Sequence, residues 1–241
     1  MEVGHVTPDG KTIGSIEKIV GVRKMIAQHM EESLKRAPQV SGFTRMDMSG
    51  VVKLKKDLAD KGIKVSITDI FVKLMALALE KNPEVNCSRQ DNEIHFYSSI
   101  NIGVAMAAPN GMLLVPVVKN CEQKSLLEIS AEIKELGGLL KTGQLGVDRM
   151  TGGTITISSV GMFGVDNSDS ILNIPQAAIV ALGRIRKELV VNDDDSTSIV
   201  PEAYVSITVD HAVINGAQAA SFTQTLSVMT RTADTLIEIN E

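Results

Sequence analysis

The residues best placed to do chemistry lie in the segment Asp210-His211-Ala212-Val213-Ile214-Asn215-Gly216-Ala217. Its histidine directly follows an alternating, strand-like run, and its glycine directly precedes a helical run. Junctions of this kind present side chains at the edge of a sheet, where a ligand can reach them. A neutral imidazole accepts a proton near neutral pH, so His211 is a candidate general base. Taken alone, a histidine at a strand end is more often structural.

A second candidate is the run Gly152-Gly153-Thr154-Ile155-Thr156-Ile157-Ser158-Ser159-Val160-Gly161, in which hydroxyl and apolar residues alternate. The alternation predicts a strand over 153–159 with its hydroxyls on one face. A hydroxyl that points into a site can donate a hydrogen bond to a developing oxyanion. The same pattern also fits a polar strand face beside solvent, and the residues alone leave both interpretations open.

The elements that must position these residues mix strands and helices without strict β-α-β order. Helical spacing predicts helices over 21–36, 50–60, 68–81, 125–141 and 216–237, with Ser49, Thr68 and Ser125 as N-caps. Alternating or apolar runs predict strands over 39–48, 93–98, 100–107, 112–118, 153–159, 176–183 and 203–210. This succession predicts an α/β sandwich on a mixed sheet. We place a flexible N-terminal arm at 1–15 and one domain at 16–241.

Composition argues against several classes of protein. The 24 basic and 29 acidic residues give a net charge of -5, and the scattered basic residues suggest neither a nucleic-acid nor a membrane partner. Two cysteines without a C-x-x-C pair and four dispersed histidines favour neither a disulfide framework nor a metal site. No apolar run approaches the roughly 20 residues of a membrane span. We expect a cytoplasmic protein, or a mitochondrial-matrix protein in a eukaryote.

Together, the segments GGTITISSVGMFG and DHAVINGAQAASF resemble the catalytic core of dihydrolipoamide acyltransferases from 2-oxo acid dehydrogenase complexes. That family has a G-G-T-x-T-[IV]-S-[NS]-x-G strand and, about fifty residues later, the motif D-H-R-x-x-[DN]-G-A. The likeness runs in order over about residues 16–238 and includes 22–27, 101–105, 114–119, 124–126 and 173–179. Chloramphenicol acetyltransferases share the fold and the histidine motif more distantly.

The resemblance implies a chloramphenicol acetyltransferase-like two-layer sandwich that assembles as a homotrimer, with each active site between two subunits. Coenzyme A and dihydrolipoamide would enter a channel from opposite ends, and no metal would take part. His211 matches the general base of the family. Ser158 matches the hydroxyl that stabilises the tetrahedral oxyanion from the neighbouring subunit. Trimers would build a 24- or 60-subunit core that works with lipoyl domains, a decarboxylase and dihydrolipoamide dehydrogenase.

For coenzyme A, the resemblance implies three contacts. Lys55 matches a basic position that would meet a phosphate, and Ser66 and Ser159 match polar positions. Lys53 and Lys56 are nearby competitors for the phosphate, and a solvated helix face explains these lysines equally well.

Two positions depart from the pattern of the family. Ala212 stands where most members have arginine, and Asn215 stands where most have aspartate, although some have asparagine. The aspartate usually braces the loop by pairing with a basic residue, for which Arg23 is the candidate here. We count Asn215 with the catalytic residues, but asparagine also suits the N-cap of the following helix.

Two other functions stay open for this sequence. A structural core protein without transferase activity is favoured by the two departures, and an O-acyltransferase would act on a small hydroxyl acceptor. The match around 100–119 and 171–183 favours the lipoyl-using branch. Acetyl, branched-chain and succinyl members share all these motifs, and we prefer acetyl. The Asp-Lys-Ala motif of a lipoyl domain is not found, so we expect lipoamide to be carried on a lipoyl domain absent from this chain. We expect the chain itself to be an excised core or a core-only protein.

Overall fold

The computed structural model describes residues 2–109 and 111–237, in which helices and strands follow the mixed order predicted above. The helices are α1 (Gly21–Arg36), α2 (Ser49–Asp60), α3 (Ile67–Lys81), α4 (Leu126–Thr142), α5 (Gly216–Arg231) and α6 (Ala233–Leu236). The strands are β1 (Gln39–Asp47), β2 (Cys87–Gln90), β3 (Glu93–Phe96), β4 (Ile102–Val104), β5 (Met106–Ala107), β6 (Leu113–Leu114), β7 (Val117–Val118), β8 (Ile155–Ser159), β9 (Ala178–Leu182), β10 (Arg186–Val191) and β11 (Thr197–Asp210).

A seven-stranded mixed sheet forms the centre of the fold. Its order is β1-β11-β9-β8-β4-β7, and β10 pairs with the first half of β11. Strand β8 is parallel to β4 and β9, whereas β11 is antiparallel to β9 and β1. Strands β8 and β11 therefore run in opposite directions, and their carboxyl ends point to opposite ends of the sheet. Two short hairpins, β2–β3 and β5–β6, stand apart from it.

Helices α2, α3, α4 and α5 cover one face of this sheet. Aliphatic side chains from β4, β8, β9 and β11 and from these helices form one continuous buried cluster. Because the chain has no tryptophan and few aromatic residues, methionines such as Met46 and Met48 are among the largest fully buried side chains, beside Phe71 and Phe222. Methionine fills irregular gaps well, which suits a core built mainly from aliphatic residues. The predicted α/β sandwich with a mixed sheet and flanking helices is confirmed.

Several local expectations need correction. Ser66, not Thr68, caps α3, because its hydroxyl accepts the Asp69 N–H in a reciprocal capping box. Met48, not Ser49, precedes the first turn of α2. The predicted helix over 216–237 is interrupted at Thr232, and the predicted strand over 100–107 is divided between two sheets. The capping box of Ser125 is confirmed.

The β10–β11 hairpin was absent from the prediction. Sequence patterning placed the last strand at 203–210, but β11 begins at Thr197 and pairs first with β10 and then with β9. The hairpin carries exposed apolar side chains on one face, among them the paired residues Leu189 and Ile199. Its alternation is weak because several of its residues are charged. The division into an arm over 1–15 and a domain over 16–241 stays a prediction, and Met1 and residues 238–241 lie outside the described residues.

Candidate active site

His211 directly follows β11, the longest strand of the sheet. Its backbone N–H donates to the Pro38 carbonyl at 3.0 Å, just ahead of β1. The exposed side chain lines a cleft of ≈ 440 Å³ between β1 and α5, together with apolar residues such as Val40, Phe43 and Val228. Within the described residues the imidazole has no hydrogen-bond partner. Its ring nitrogens are therefore open to a substrate.

Asn215 caps the helix that follows this turn. Its Oδ1 accepts the backbone N–H groups of Ala217 at 2.9 Å and Gln218 at 3.0 Å, and the Gln218 Oε1 accepts the Asn215 N–H at 2.9 Å. These bonds satisfy donors that the first turn of α5 would otherwise leave without partners. The N-cap interpretation of Asn215 is confirmed, and its catalytic role stays a prediction.

The turn is not braced by the expected arginine. Arg23 pairs with Glu17 at 2.8 Å, and both side chains are largely exposed. A different ion pair lies at the turn, where Arg89 Nε is 3.1 Å from the buried Asp210 Oδ2. Sequence reasoning did not single out Arg89, because nothing local connects it with a residue far along the chain.

Ser158 lies near the end of β8, on a strand where the hydroxyls have unequal surroundings. Thr154 is buried and donates to the Asn101 carbonyl at 3.2 Å, and the buried Thr156 donates to Gln176 Oε1 at 2.6 Å. The half-buried Ser158 has no hydrogen-bond partner in the described part of the chain. The interpretation as a locally satisfied polar face therefore fits the two threonines, whereas the Ser158 hydroxyl is available to a ligand.

The Ser158 hydroxyl lines a second cleft, of ≈ 680 Å³. Its walls come from α1, from the β5–β6 hairpin region and from the segment 168–173, and they are largely apolar. His29 on α1 also lines it, and its Nε2 lies 2.9 Å from Asn173 Oδ1, within hydrogen-bonding distance. Sequence reasoning missed this histidine, because its partner lies 144 positions further along the chain.

A single chain holds His211 and Ser158 apart. In the sheet register Ser158 lies opposite Ala181, and Ala181 lies opposite Ser206, five residues before His211. Five extended residues and two strand spacings give a separation of roughly 20 Å between the two Cα atoms. The two groups thus belong to different clefts of the same chain.

The lysines on α2 differ in their partners. Lys53 bridges Asp57 at 3.0 Å and Asp234 at 2.9 Å, and these hydrogen bonds, first the one to Asp234, raise the pKa of Lys53 above its ordinary value. Lys55 and Lys56 are exposed and have no ion pair among the described residues. Lys53 is thus engaged by two carboxylates, whereas Lys55 and Lys56 do not differ from each other in this respect.

The other two residues expected at coenzyme A occupy different settings. The exposed Ser66 caps α3, and its hydroxyl also donates to Asp69 Oδ1 at 2.6 Å. Ser159 is half-buried beside Ser158 but, as the next residue of the strand, faces the other side of the sheet. The described chain does not gather Lys55, Ser66 and Ser159 around one of its clefts.

Comparison with known families supports one assignment. A family model described as the catalytic domain of 2-oxoacid dehydrogenases acyltransferase matches residues 13–237. The dihydrolipoyllysine-residue acetyltransferase component of the pyruvate dehydrogenase complex of Zymomonas mobilis is 34% identical over 226 residues, which cover 92% of this chain and 50% of the relative. The succinyltransferase component of the 2-oxoglutarate dehydrogenase complex of Azotobacter vinelandii is 35% identical over 212 residues, with 85% and 52% covered. The chain spans about half the length of these relatives.

Solved structures agree with this comparison. A probable dihydrolipoamide acetyltransferase from Listeria monocytogenes superposes with a TM-score of 0.88 at 32% identity, covering 93% of this chain and 97% of that one. The Azotobacter vinelandii dihydrolipoamide acetyltransferase, studied for the role of a serine, a histidine and an asparagine in its mechanism, gives 0.85 at 29% identity, with 91% and 93% covered. The cubic core of a pyruvate dehydrogenase multienzyme complex gives 0.83 at 31% identity, with 91% and 93% covered.

A chloramphenicol acetyltransferase shares only the fold, with a TM-score of 0.52 at 11% identity over 89% of this chain and all of that one. Among the described residues, no helix combines the length and the apolar character that a membrane crossing needs. In residues 2–109 and 111–237, no three or more histidine, cysteine and carboxylate side chains form a group that could hold a metal ion.

Replacing Asn215 by alanine tests the capping role. We expect Asn215→Ala to lower the free energy of unfolding by about 1 kcal/mol, because two backbone N–H groups of α5 lose their acceptor. Asn215→Asp keeps the acceptor beside the positive end of the helix and should stay within a few tenths of a kcal/mol. Thermal unfolding at one fixed protein concentration measures both variants. Equal loss of stability in both variants would contradict the role.

Proposed function

Because the chain belongs to the family of 2-oxoacid dehydrogenase acyltransferase catalytic domains, we propose that it transfers an acyl group between dihydrolipoamide and coenzyme A. The observation that carries this proposal is that His211 and Ser158 each present a group without a partner to an open cleft. These two residues also belong to the two motifs that carry the resemblance. Bulk composition would not have separated an acyltransferase from other α/β enzymes.

The proposed reaction needs one proton acceptor and one hydrogen-bond donor. His211 takes the proton from a thiol, and the sulfur forms a bond to the thioester carbonyl carbon. Ser158 donates a hydrogen bond to the oxyanion of the tetrahedral intermediate. The intermediate then expels the other sulfur, which recovers the proton from the imidazole. A general base is typically worth ~10²–10⁴ in rate, and one oxyanion donor ~10²–10³.

A separation of roughly 20 Å inside one chain prevents these groups from acting on the same carbonyl. We therefore propose a homotrimer in which the His211 cleft of one subunit faces the Ser158 cleft of its neighbour. In a closed ring each of the three interfaces would form one complete site. The exposed apolar residues of both clefts, such as Phe43 and Met25, support an interface at these surfaces.

An inactive core protein is less well supported than an enzyme. Asn215 was one of two features that favoured it. The asparagine investigated in the Azotobacter vinelandii enzyme follows its histidine by four residues, the same spacing as His211 and Asn215 here. An asparagine at this position therefore also occurs in a relative whose catalytic mechanism was investigated. Ala212 is then the remaining departure from the family pattern.

We propose acetyl as the acyl group, although relatives named as acetyltransferases and succinyltransferases both match. The cleft around Ser158 is mostly apolar, and its described lining contains Asp169 but no lysine or arginine. A second carboxylate, such as that of a succinyl group, would meet a like charge there without a permanent cation.

The names of the relatives also suggest partners. We propose that trimers assemble into a 24- or 60-subunit core, for which the similarity to a cubic core is the support. Lipoyl domains would bring dihydrolipoamide to the channel, and the decarboxylase and dihydrolipoamide dehydrogenase would complete the complex. For coenzyme A, Lys55 is the proposed phosphate contact, and Ser66 and Ser159 are the proposed polar contacts.

Mixing two inactive variants tests the shared site. His211→Ala should lower kcat by ~10²–10⁴ and Ser158→Ala by ~10²–10³. When the two are co-assembled in equal amounts, a site formed between subunits regains both groups in about one quarter of the interfaces. We expect acyl transfer from acetyl-coenzyme A to dihydrolipoamide to recover to that fraction. Native mass spectrometry verifies mixing, and mixed trimers that stay inactive would rule out a shared site.

A lysine pair on α2 tests the coenzyme A contact. Lys55→Ala should raise KM for coenzyme A up to about fivefold with kcat unchanged, because an exposed charge contact is worth at most about 1 kcal/mol. Lys56→Ala is the matched control, since Lys56 is also exposed and has no ion pair in the described chain. Equal effects of the two substitutions would argue for a general electrostatic field instead of a contact.

The acyl preference is measured by competition. We expect kcat/KM for acetyl-coenzyme A to exceed that for succinyl-coenzyme A by up to about fivefold, because the exposed Asp169 repels a second carboxylate by at most about 1 kcal/mol. Asp169→Asn should narrow this ratio. A wild-type protein that prefers succinyl-coenzyme A would overturn the acetyl proposal but leave the acyltransferase proposal intact.

A further inference from the structure

A buried carboxylate holds the turn that presents His211. The Asp210 Oδ1 accepts the Ala212 N–H at 3.0 Å, so that it spans the histidine. The Asp210 carbonyl accepts the N–H groups of Val213 and Ile214, both at 3.0 Å. The side chain and the backbone of Asp210 together determine the path of the chain from 210 to 214.

Arg89 supplies the charge that this carboxylate requires. The Asp210 side chain is 6% exposed, and the Arg89 Nε lies 3.1 Å from its Oδ2. A carboxylate buried this deeply is costly unless a cation pairs with it. In the described part of the chain no other cation lies within 4.0 Å of Asp210. Arg89 is thus the group that allows a charged Asp210 to stay beside His211.

Arg89 is itself tied to the other support of the turn. Arg36, in the last turn of α1, donates from Nη2 to the Arg89 carbonyl at 2.7 Å, and Arg89 Nη2 donates back to the Arg36 carbonyl. Two residues after Arg36, the Pro38 carbonyl accepts the His211 N–H at 3.0 Å. The Arg89 guanidinium therefore connects Asp210, which precedes His211, with the end of α1, two residues before the Pro38 carbonyl that accepts the His211 N–H. The contact of the buried Nε with Asp210 is an ion pair without hydrogen-bond geometry, whereas the Nη2 contact is a hydrogen bond. The planar guanidinium can make both contacts at once, which a lysine ammonium does less well.

We propose that Arg89 is a positioning residue for His211, acting through Asp210. The proposal rests on the proposed acyltransferase function. Arg89 contacts the turn and not the substrate clefts, so it would affect the placement of the imidazole and not the binding of either thiol. A displacement of a catalytic group by about 1 Å can cost about 10²-fold in rate.

The test compares Arg89→Met with wild type in the assembled full chain. We expect kcat to fall by about 10–100-fold, with KM for coenzyme A and for the acyl donor within about twofold. Arg89→Lys keeps the charge but not the planar guanidinium, and its kcat should lie between those of wild type and Arg89→Met. It also keeps the test decisive if Arg89→Met fails to fold. In an Asp210→Asn background, Arg89→Met should lower kcat by a much smaller factor, since the two residues act as one unit.

Lys124→Met is the matched control. It breaks the Lys124–Glu132 ion pair near α4, and its lysine is 27% exposed, as is Arg89. This variant should keep wild-type kcat. Hydrogen exchange measured by mass spectrometry adds a readout that does not need activity. The peptide over 208–216 should exchange faster in Arg89→Met and not in Lys124→Met.

The outcomes separate the two proposals. Unchanged kcat in folded Arg89→Met, a loss confined to KM, or unchanged exchange at 208–216 would overturn the positioning role. A wild-type protein without acyl transfer would overturn the proposed function instead, and the exchange data would still show whether Arg89 holds the turn.

Discussion

A base and an oxyanion donor can serve the same carbonyl only when both lie within hydrogen-bonding reach of it. Within one chain the topology keeps His211 and Ser158 apart, because β8 and β11 run in opposite directions and their carboxyl ends point to opposite ends of the sheet. The distance between Ser158 and His211 follows from the register and not from a flexible loop. A second copy of the chain is thus a chemical requirement of the proposed mechanism, and the two open clefts are the surfaces that it would cover.

The hydroxyl groups of Thr154, just before β8, and of Thr156 and Ser158 on β8 differ in whether they have an acceptor. Thr154 and Thr156 are buried, and each has an acceptor at hydrogen-bonding distance, as buried polar groups require. Ser158 continues the same face but lies where the strand reaches the cleft, and it has no acceptor in the described chain. Identical chemistry at two-residue spacing therefore has a structural role at the inner end of the strand and an open donor at the outer end.

The turn after β11 combines two functions in few residues. Asn215 accepts the first N–H groups of α5, and Asp210 accepts the Ala212 N–H in the turn before that helix. Side-chain oxygens therefore hold both ends of the segment. An asparagine at the cap carries no charge, and the carboxylate of this segment lies instead before the histidine, where Arg89 pairs with it. The backbone is held on both sides of His211, and its exposed imidazole has no hydrogen-bond partner in the described residues.

The sequence by itself determined the local elements, the family and the two motif residues. Caps such as Ser125, the alternation over 153–159 and the His211 segment are each written within a few consecutive residues, so short-range patterns reveal them. Only the tertiary structure decided that Ser158 lacks an acceptor and that Arg89, not Arg23, pairs with a carboxylate at the turn. These outcomes depend on which side chains meet between residues that are distant in sequence. Burial and charge pairing at such contacts are set by packing, which no local pattern encodes.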